Sequence, residues 1–172
     1  SFSTSVEGAG DLCRVNINDT GYSFPVINGE VEGEVEIDNV HLWNGLEDPY
    51  LYPVSFSLEK NGEERDEIEL KVGFRTIEID SGKGFFLNGR SYPLRGVSRH
   101  QDRRGKGNAI DERDEDEDMD IILDSGANSM RLAHYQHSQH FYDLCDEKGL
   151  LVWAEIPFIT VFMENGKENT LS

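Results

Sequence analysis

Four polar side chains stand where short apolar runs of this sequence come to an end. His100, His134 and Glu155 each close such a run, and Arg131 lies three residues before His134. Imidazole and guanidinium groups are good donors to hydroxyl groups. A carboxylate that closes an apolar strand must be paired or functional, because burying it alone is costly. The pattern therefore predicts a site for a polar substrate, with His100, His134, Arg131 and Glu155 as its binding residues.

The elements that position these residues follow one another in a regular order. Apolar runs at residues 94–98, 129–133 and 150–154 indicate strands, and the segments 111–126 and 138–149 between them indicate helices. Right-handed strand–helix–strand connections predict a parallel sheet with its helices on the outside. The polar residues then lie together at the carboxyl ends of three neighbouring strands.

Both helices have recognisable ends and an apolar stripe. Acidic residues crowd the start of the first helix, where the helix dipole favours negative charge, and Gly126 ends it. The second helix begins near Ser138 and ends at Gly149. The residues expected to be buried are Met119, Ile122, Leu123, Phe141, Leu144 and Cys145.

Three such strands fit either half of a doubly wound sheet or the start of a (β/α)₈ barrel. A dinucleotide-binding doubly wound sheet needs glycines after its first strand, and residues 98–101 contain none. Polar residues at the carboxyl ends of strands favour the barrel, where enzymes of that fold place their chemistry. We expect Val97, Leu132 and Val152 to face the barrel interior.

The first eighty residues alternate apolar and polar side chains, the period of a β-strand. The alternation covers residues 31–38, 54–58 and 66–72, and residues 60–63 supply a hairpin turn. We expect the apolar side chains of the last run, which are Ile68, Leu70 and Val72, to point inward. Short strands with frequent turns predict an antiparallel sandwich.

The fold class is therefore multidomain, with a β part followed by an α/β part. We place an immunoglobulin-like β-sandwich at residues 1–82 and an incomplete (β/α)₈ TIM barrel of about three strands at residues 83–172.

Charge and composition exclude several classes of partner. A net charge of −18 repels phosphate backbones, so we expect no nucleic-acid binding. No run of about 18 apolar residues is present to span a bilayer, so we expect no membrane partner. Cys13 and Cys145 lack the spacing of a zinc or redox motif and are predicted to be small buried side chains.

Two segments have the residue types of a metal site but not the spacing. The acidic run 111–118 lacks the central glycine and the spaced terminal Glu of a calcium loop, so it is predicted to be a solvated helical turn. The histidines between His134 and His140 have no cysteine or carboxylate at ligand spacing. We predict no metal ligands in this chain.

Several separated motifs follow one another along the chain, at residues 43–52, 73–75, 86–90, 94–102, 128–135, 141–150 and 153–157. In this order they resemble glycoside hydrolase family two, the first two motifs the end of its middle sandwich and the others its barrel. Arg99-His100 and the segment 131–135 are most similar to bacterial β-galactosidases. The resemblance implies that His100 and His134 hold the galactosyl group and stabilise the transition state, with Arg131 in a supporting role. Gln136 stands where many relatives have proline.

The resemblance also implies which parts of the enzyme this sequence lacks. The family's acid/base Glu follows an Asn after the fourth strand, and its nucleophile Glu comes later, so we expect no catalytic residue in this chain and no hydrolysis by it alone. The parent is expected to be a retaining β-galactosidase acting on terminal β-D-galactosides, cytoplasmic and homo-oligomeric. Ile159 and Val161 stand where the best-known relatives have magnesium ligands, so we expect neither that magnesium site nor another cofactor.

Two alternatives to a β-galactosidase remain open. β-Glucuronidases and β-mannosidases share the scaffold and the general chemistry. A non-catalytic binding module is favoured by the sandwich half, since such domains often only mediate contacts. The polar residues at the strand ends argue against the binding module, because a scaffold has no use for them there.

Overall fold

The structure is a computed structural model that describes residues 2–8 and 10–157. Their contacts form two compact units. The first comprises residues up to His41 together with Leu51–Phe74, and the second comprises Leu42–Tyr50 together with residues from Arg75 onward. The second unit therefore begins before the domain boundary predicted at residue 82, because residues 77–80 pair in one of its sheets.

The first unit contains two antiparallel sheets. The larger has the order β3-β2-β5-β6 and the smaller pairs β1 with β4. The strands are β1 (Phe2–Ser5), β2 (Leu12–Ile17), β3 (Thr20–Pro25), β4 (Glu30–Gly33), β5 (Tyr52–Lys60) and β6 (Glu63–Val72).

Sequence alternation predicted the β5–β6 hairpin correctly. For β4 it predicted a longer strand than the one observed. The hairpin turns at Asn61 and Gly62, whose φ angles of 54° and 78° suit a tight two-residue turn. The strand predicted over residues 31–38 ends at Gly33, because the β1–β4 ladder ends with the pair Phe2–Gly33. Residues 34–38 belong to no strand.

The core of the first unit lies between its two sheets. Phe2 of the smaller sheet packs edge-on against Phe24 and Phe56 of the larger one, at ring-centroid distances of 5.0 and 5.4 Å. The prediction that Ile68 and Leu70 point inward is wrong, since they are 51% and 48% exposed. Both lie on β6, the edge strand, of whose ten residues nine are exposed.

The second unit begins with an antiparallel sheet and continues as a parallel one. The antiparallel sheet has the order β7-β8-β9 and turns at Asn88 and Gly89. The parallel sheet has the order β10-β11-β12. The elements are a 3₁₀ turn (Gly45–Glu47), β7 (Ile77–Asp80), β8 (Gly84–Leu87), β9 (Arg90–Ser91), β10 (Gly96–Arg99), α1 (Glu112–Asp124), β11 (Ser129–Leu132), α2 (Gln139–Lys148) and β12 (Leu151–Ala154).

Side chains fix both helices at the predicted ends. The carboxylate of Asp111 accepts hydrogen bonds from two backbone N–H groups of the first turn of α1, at 3.1 and 3.2 Å. The hydroxyl of Ser138 accepts one from Phe141 N at 3.2 Å at the start of α2. Gly126 and Gly149 follow the two helices in the left-handed conformation, with φ of 79° and 82°.

The helices cover one face of the parallel sheet and bury an apolar cluster there. Its buried members are Met119, Met130, Leu132, Phe141, Cys145 and Leu150, with Val97 and Val152 packed against them. The prediction that Val97, Leu132 and Val152 face the barrel interior is therefore wrong. Neighbouring residues of a strand point to opposite faces, so the aligned residues Ser98, Arg131 and Trp153 occupy the other, open face.

The segment Leu42–Tyr50 is attached to the end of α2. Trp43 is fully buried, and its indole N–H donates to the carbonyl of Asp146 at 2.7 Å. The Arg75 guanidinium lies 4.6 Å above the Trp43 ring and 3.3 Å from the Asp146 carboxylate. Gly45 approaches Gly149 so closely that a Cβ on Gly149 would lie 2.4 Å from the Gly45 carbonyl.

We predict that Gly149→Ala destabilises the chain more than Gly126→Ala does. Both glycines have left-handed φ angles, which cost a residue with a Cβ about 1–2 kcal/mol. Only at Gly149 does the added methyl also meet backbone, which adds about 1–3 kcal/mol as overpacking. Urea unfolding of the two variants measures the difference. Equal losses of stability would contradict the close approach of Gly45 and Gly149.

Candidate functional site

The structure brings the four predicted site residues to one end of the parallel sheet. Arg131 Nε donates to Glu155 Oε1 at 2.6 Å, and Arg131 Nη2 donates to Glu155 Oε2 at 3.1 Å. His134 Nδ1 lies 3.1 Å from Glu155 Oε2, and its ring lies 5.3 Å from that of His100, edge to face. These side chains form one group, which we call the strand-end cluster.

Charges within the strand-end cluster compensate one another. The hydrogen bonds from Arg131 lower the pKa of Glu155 below its ordinary value, and His134 adds to that effect. Glu155 is therefore ionised near neutral pH. His134 Nδ1 lies between the two partners of this pair, 3.2 Å from Arg131 Nη2 and 3.1 Å from Glu155 Oε2.

The strand-end cluster is accessible to a ligand. The side chains of Arg131 and His134 are 44% and 43% exposed, and His100 is exposed as well. Below it the open face of the sheet continues through Ser98 and Trp153 into a cavity of about 400 Å³, which apolar side chains from β7 and β8 also line. Such a group offers donors and acceptors for hydroxyls beside apolar surface, a combination that suits a sugar.

Arg99 also comes at a strand end, but it points to the opposite face. Its side chain is buried between the sheet and the helices, and its guanidinium lies 3.9 Å above the Phe141 ring. Nε donates to Asp118 at 3.0 Å, and Nη2 lies 2.9 Å from the same carboxylate oxygen and 3.8 Å from Glu115. Arg99 is thus the centre of a buried ionic network behind the site.

The acidic start of α1 is more than a solvated helical turn. Asp114 and Glu115 are buried, at 5% and 3% exposure, so that prediction is wrong for these two residues. Arg103 and Lys106 pair with Asp114, and the hydrogen bond from Lys106 is the largest cause of its strongly lowered pKa. The basic residues a few positions before the helix were the sequence signal for this pairing.

Sequence reasoning missed the residues that join the two loops following β10 and β11. The backbone N–H of Gln101 donates to the Tyr135 hydroxyl at 3.0 Å. The side-chain oxygen of Gln101 accepts from Ser138 N at 2.8 Å. The Ser138 hydroxyl in turn donates to the buried Glu115 at 2.6–2.7 Å. These bonds hold the loop that carries His134 against the loop that follows His100.

Residues 2–8 and 10–157 contain no group of three His, Cys, Asp or Glu side chains that could hold a metal ion. His140 pairs with Asp116 at 2.9 Å and so does not converge with His134. Ile159 and Val161, the positions considered for magnesium, lie outside the described residues. The absence of metal ligands and of a cofactor remains a prediction.

Cys13 and Cys145 are buried free thiols, as predicted. Burial raises the pKa of Cys145 to about 12. In the described part of the chain, no helix is both long enough and apolar enough to cross a lipid bilayer.

Comparison with protein families agrees with the two-part architecture. Residues 7–75 match the family described as glycosyl hydrolases family 2, and residues 77–171 match the TIM barrel domain of that family. The chain belongs to glycosyl hydrolase family 2. Its three parallel strands and two helices are thus the start of the family's barrel, and no closed barrel exists among the described residues.

Relatives with two different activities resemble the chain almost equally. A β-glucuronidase of Bacteroides fragilis is 43% identical over 78% of this chain, and a β-galactosidase of Thermoanaerobacter pseudethanolicus is 41% identical over 74% of it. The matched regions are 21% and 17% of those proteins, so the chain corresponds to about a fifth of their length.

Solved structures of the family superpose well on this chain. A Bifidobacterium dentium β-glucuronidase complexed with coumarin-3-O-glucuronide matches with a TM-score of 0.79 at 28% identity, covering 88% of this chain and 25% of that one.

We predict that Arg99→Met lowers the free energy of unfolding by about 3–5 kcal/mol, because it leaves Glu115 and Asp118 without their buried cation. His140→Gln, which removes the more exposed pair with Asp116 on the same two helices, should cost only about 0–1 kcal/mol. Chemical unfolding of both variants tests the contrast. A small loss for Arg99→Met would show that the network does not depend on this charge.

The Arg131–Glu155 pair should persist to acid pH. Because the pKa of Glu155 is lowered in the folded chain, the pair is stable above the ordinary carboxyl value of 4.5 and is lost as pH falls through the lowered one. Carboxyl ¹³C NMR should place the Glu155 midpoint below 4.5. Arg131→Met should raise that midpoint, and Arg131→Lys should raise it less. An unchanged midpoint in Arg131→Met would contradict the pairing.

Proposed function

We propose that the protein containing this chain is a retaining β-galactosidase that hydrolyses terminal β-D-galactosides, and that the strand-end cluster binds the galactosyl group. The observation that carries the proposal is the convergence of His100, His134, Arg131 and Glu155 at the carboxyl ends of three parallel strands. In barrel enzymes that end of the strands holds the active site.

The cluster suits an uncharged sugar. Glu155 neutralises Arg131 through two hydrogen bonds, so the pair has dipolar character and little net charge. Imidazoles can donate to or accept from hydroxyls, and a guanidinium can donate to them. The carboxylate of a charged sugar would be attracted by Arg131 and repelled by Glu155. The pair therefore gives it no net attraction.

Each residue has a distinct role in this proposal. His134 is oriented by its contact with Glu155, and His100 lies beside it, so the two imidazoles hold the sugar from adjacent strands. Arg131 and Glu155 keep His134 in place through their contacts with its Nδ1, at 3.2 and 3.1 Å. The acid/base and nucleophilic carboxylates that a retaining glycosidase requires are supplied by other parts of the protein.

β-Glucuronidase is the second candidate, and the 43% identical relative of that name favours it. A uronate carries a carboxylate, so this activity needs a cation beyond the Arg131–Glu155 pair.

Assembly into a homo-oligomer and a cytoplasmic location are further parts of the proposal, which gel filtration and cell fractionation would test.

The test compares nitrophenyl β-D-galactoside with nitrophenyl β-D-glucuronide, using the full-length protein and its His134→Ala variant. For the native protein we expect kcat/KM to be at least about tenfold higher on the galactoside, a difference of 1.4 kcal/mol. A contact that strengthens in the transition state lowers kcat when removed. We therefore expect His134→Ala to lower kcat by about 10- to 100-fold, the value of a hydrogen bond to a charged group.

His140→Gln is the matched control, since that histidine pairs with Asp116 on the helices. A preference for the glucuronide would favour the second candidate. Activity on neither substrate would contradict both. A raised KM with unchanged kcat in His134→Ala would contradict its role in the transition state.

A further inference from the structure

His137 is a buried histidine whose two ring nitrogens have opposite partners. It is 7% exposed, with Nε2 lying 3.2 Å from the carbonyl oxygen of Ala133 and Nδ1 lying 3.1 Å from Nη1 of Arg99. A carbonyl only accepts and a guanidinium only donates. His137 must therefore donate from Nε2 and accept at Nδ1, which defines the neutral Nε2–H tautomer.

The surroundings of His137 favour that neutral form. Burial is the largest cause of its lowered pKa, and the charges of Arg99 and His100 lower the pKa further. The hydrogen bond to the Ala133 carbonyl and the charge of Glu115 on α1 oppose this effect without cancelling it. The rings of Tyr135 and Phe141 lie 5.3 and 6.4 Å from the imidazole.

The residue held by His137 is the one directly before His134. Ala133 donates its backbone N–H to the carbonyl of Arg99 at 3.1 Å and accepts from His137 through its own carbonyl. The N–H of Ala133 is thus held by the backbone of the neighbouring strand, and its carbonyl is held by the buried histidine. These two bonds hold the residue directly before His134 on both sides.

We propose that His137 is a positioning residue, which acts through the Ala133 carbonyl to aim His134 at His100 and Glu155. In this arrangement one peptide group, between Ala133 and His134, joins the buried network to the strand-end cluster. The use of this orientation in sugar binding rests on the function proposed above. The orientation itself does not depend on that function.

The experiment is NMR of the 172-residue chain without any sugar, so its outcome is independent of whether the glycosidase proposal holds. Ring ¹⁵N shifts of His137 should show Nε2 protonated and Nδ1 bare from pH 7.5 to 5.5. Ring protons of His100 and His134 should show a mutual NOE in the native chain. His137→Phe, which keeps a ring but neither polar atom, should lose that NOE. His137→Gln, which keeps a donor and an acceptor, should restore it.

Two controls separate positioning from general loss of stability. His140→Gln changes a less buried histidine in the same way, and Leu123→Ala removes apolar contact from the cluster under the sheet. Both should keep the NOE. Its loss in Leu123→Ala, or its persistence in a folded His137→Phe, would overturn the proposal. An Nδ1–H tautomer or an ordinary titration of His137 would overturn it as well.

If His137→Phe does not fold, the proposal is tested by the His137→Gln variant and by the tautomer of His137 in the native chain. A folded His137→Gln variant that keeps the NOE supports the proposal, and one that lacks it contradicts it.

Discussion

The buried charge of Arg99 is the interaction on which the second unit depends. The Arg99 side chain extends from the end of β10 into the layer between the sheet and the helices. There its guanidinium is surrounded by Asp118, Glu115, His137 and the Phe141 ring. A buried cation is tolerated only when paired and hydrogen-bonded. Its partners lie on α1, on α2 and in the loop before α2, so satisfying one charge fixes the helices relative to the strand.

The same interaction positions the open site because neighbouring residues of a strand point to opposite faces. Arg99 faces the helices, and His100, the next residue, lies at the open end beside His134. Ala133 links the two sides, since it is bonded to Arg99 on its N–H side and to His137 on its carbonyl side. The backbone of Ala133 therefore connects the buried network to the exposed side chains.

Sequence reasoning located the elements of the second unit because each boundary had its own chemical cause. Asp111 and Ser138 cap the helices, the glycines end them, and polar residues close the strands. It could not assign the faces of the strands. Alternation separates the two faces of β11, with Met130 and Leu132 on one face and Arg131 on the other, and only β12 is apolar on both faces. The pattern does not say which face the helices cover, so Val97, Leu132 and Val152 were assigned to the wrong side. Likewise, an acidic run gives no indication which of its members will be buried, because that depends on where Arg99, Arg103 and Lys106 fold.

In the function proposed above, the strand-end cluster supplies contacts to sugar hydroxyls. Its histidines and its neutral Arg131–Glu155 pair can hold hydroxyls, and galactosides and glucuronides both have hydroxyls. One chemical difference between the two sugars is a carboxylate, and recognising it tightly requires an added cation. In the proposed function Glu155 already compensates Arg131, so a uronate would need a cation outside the cluster. Relatives of nearly equal identity are named for both sugars, so identity over this chain does not separate the two activities.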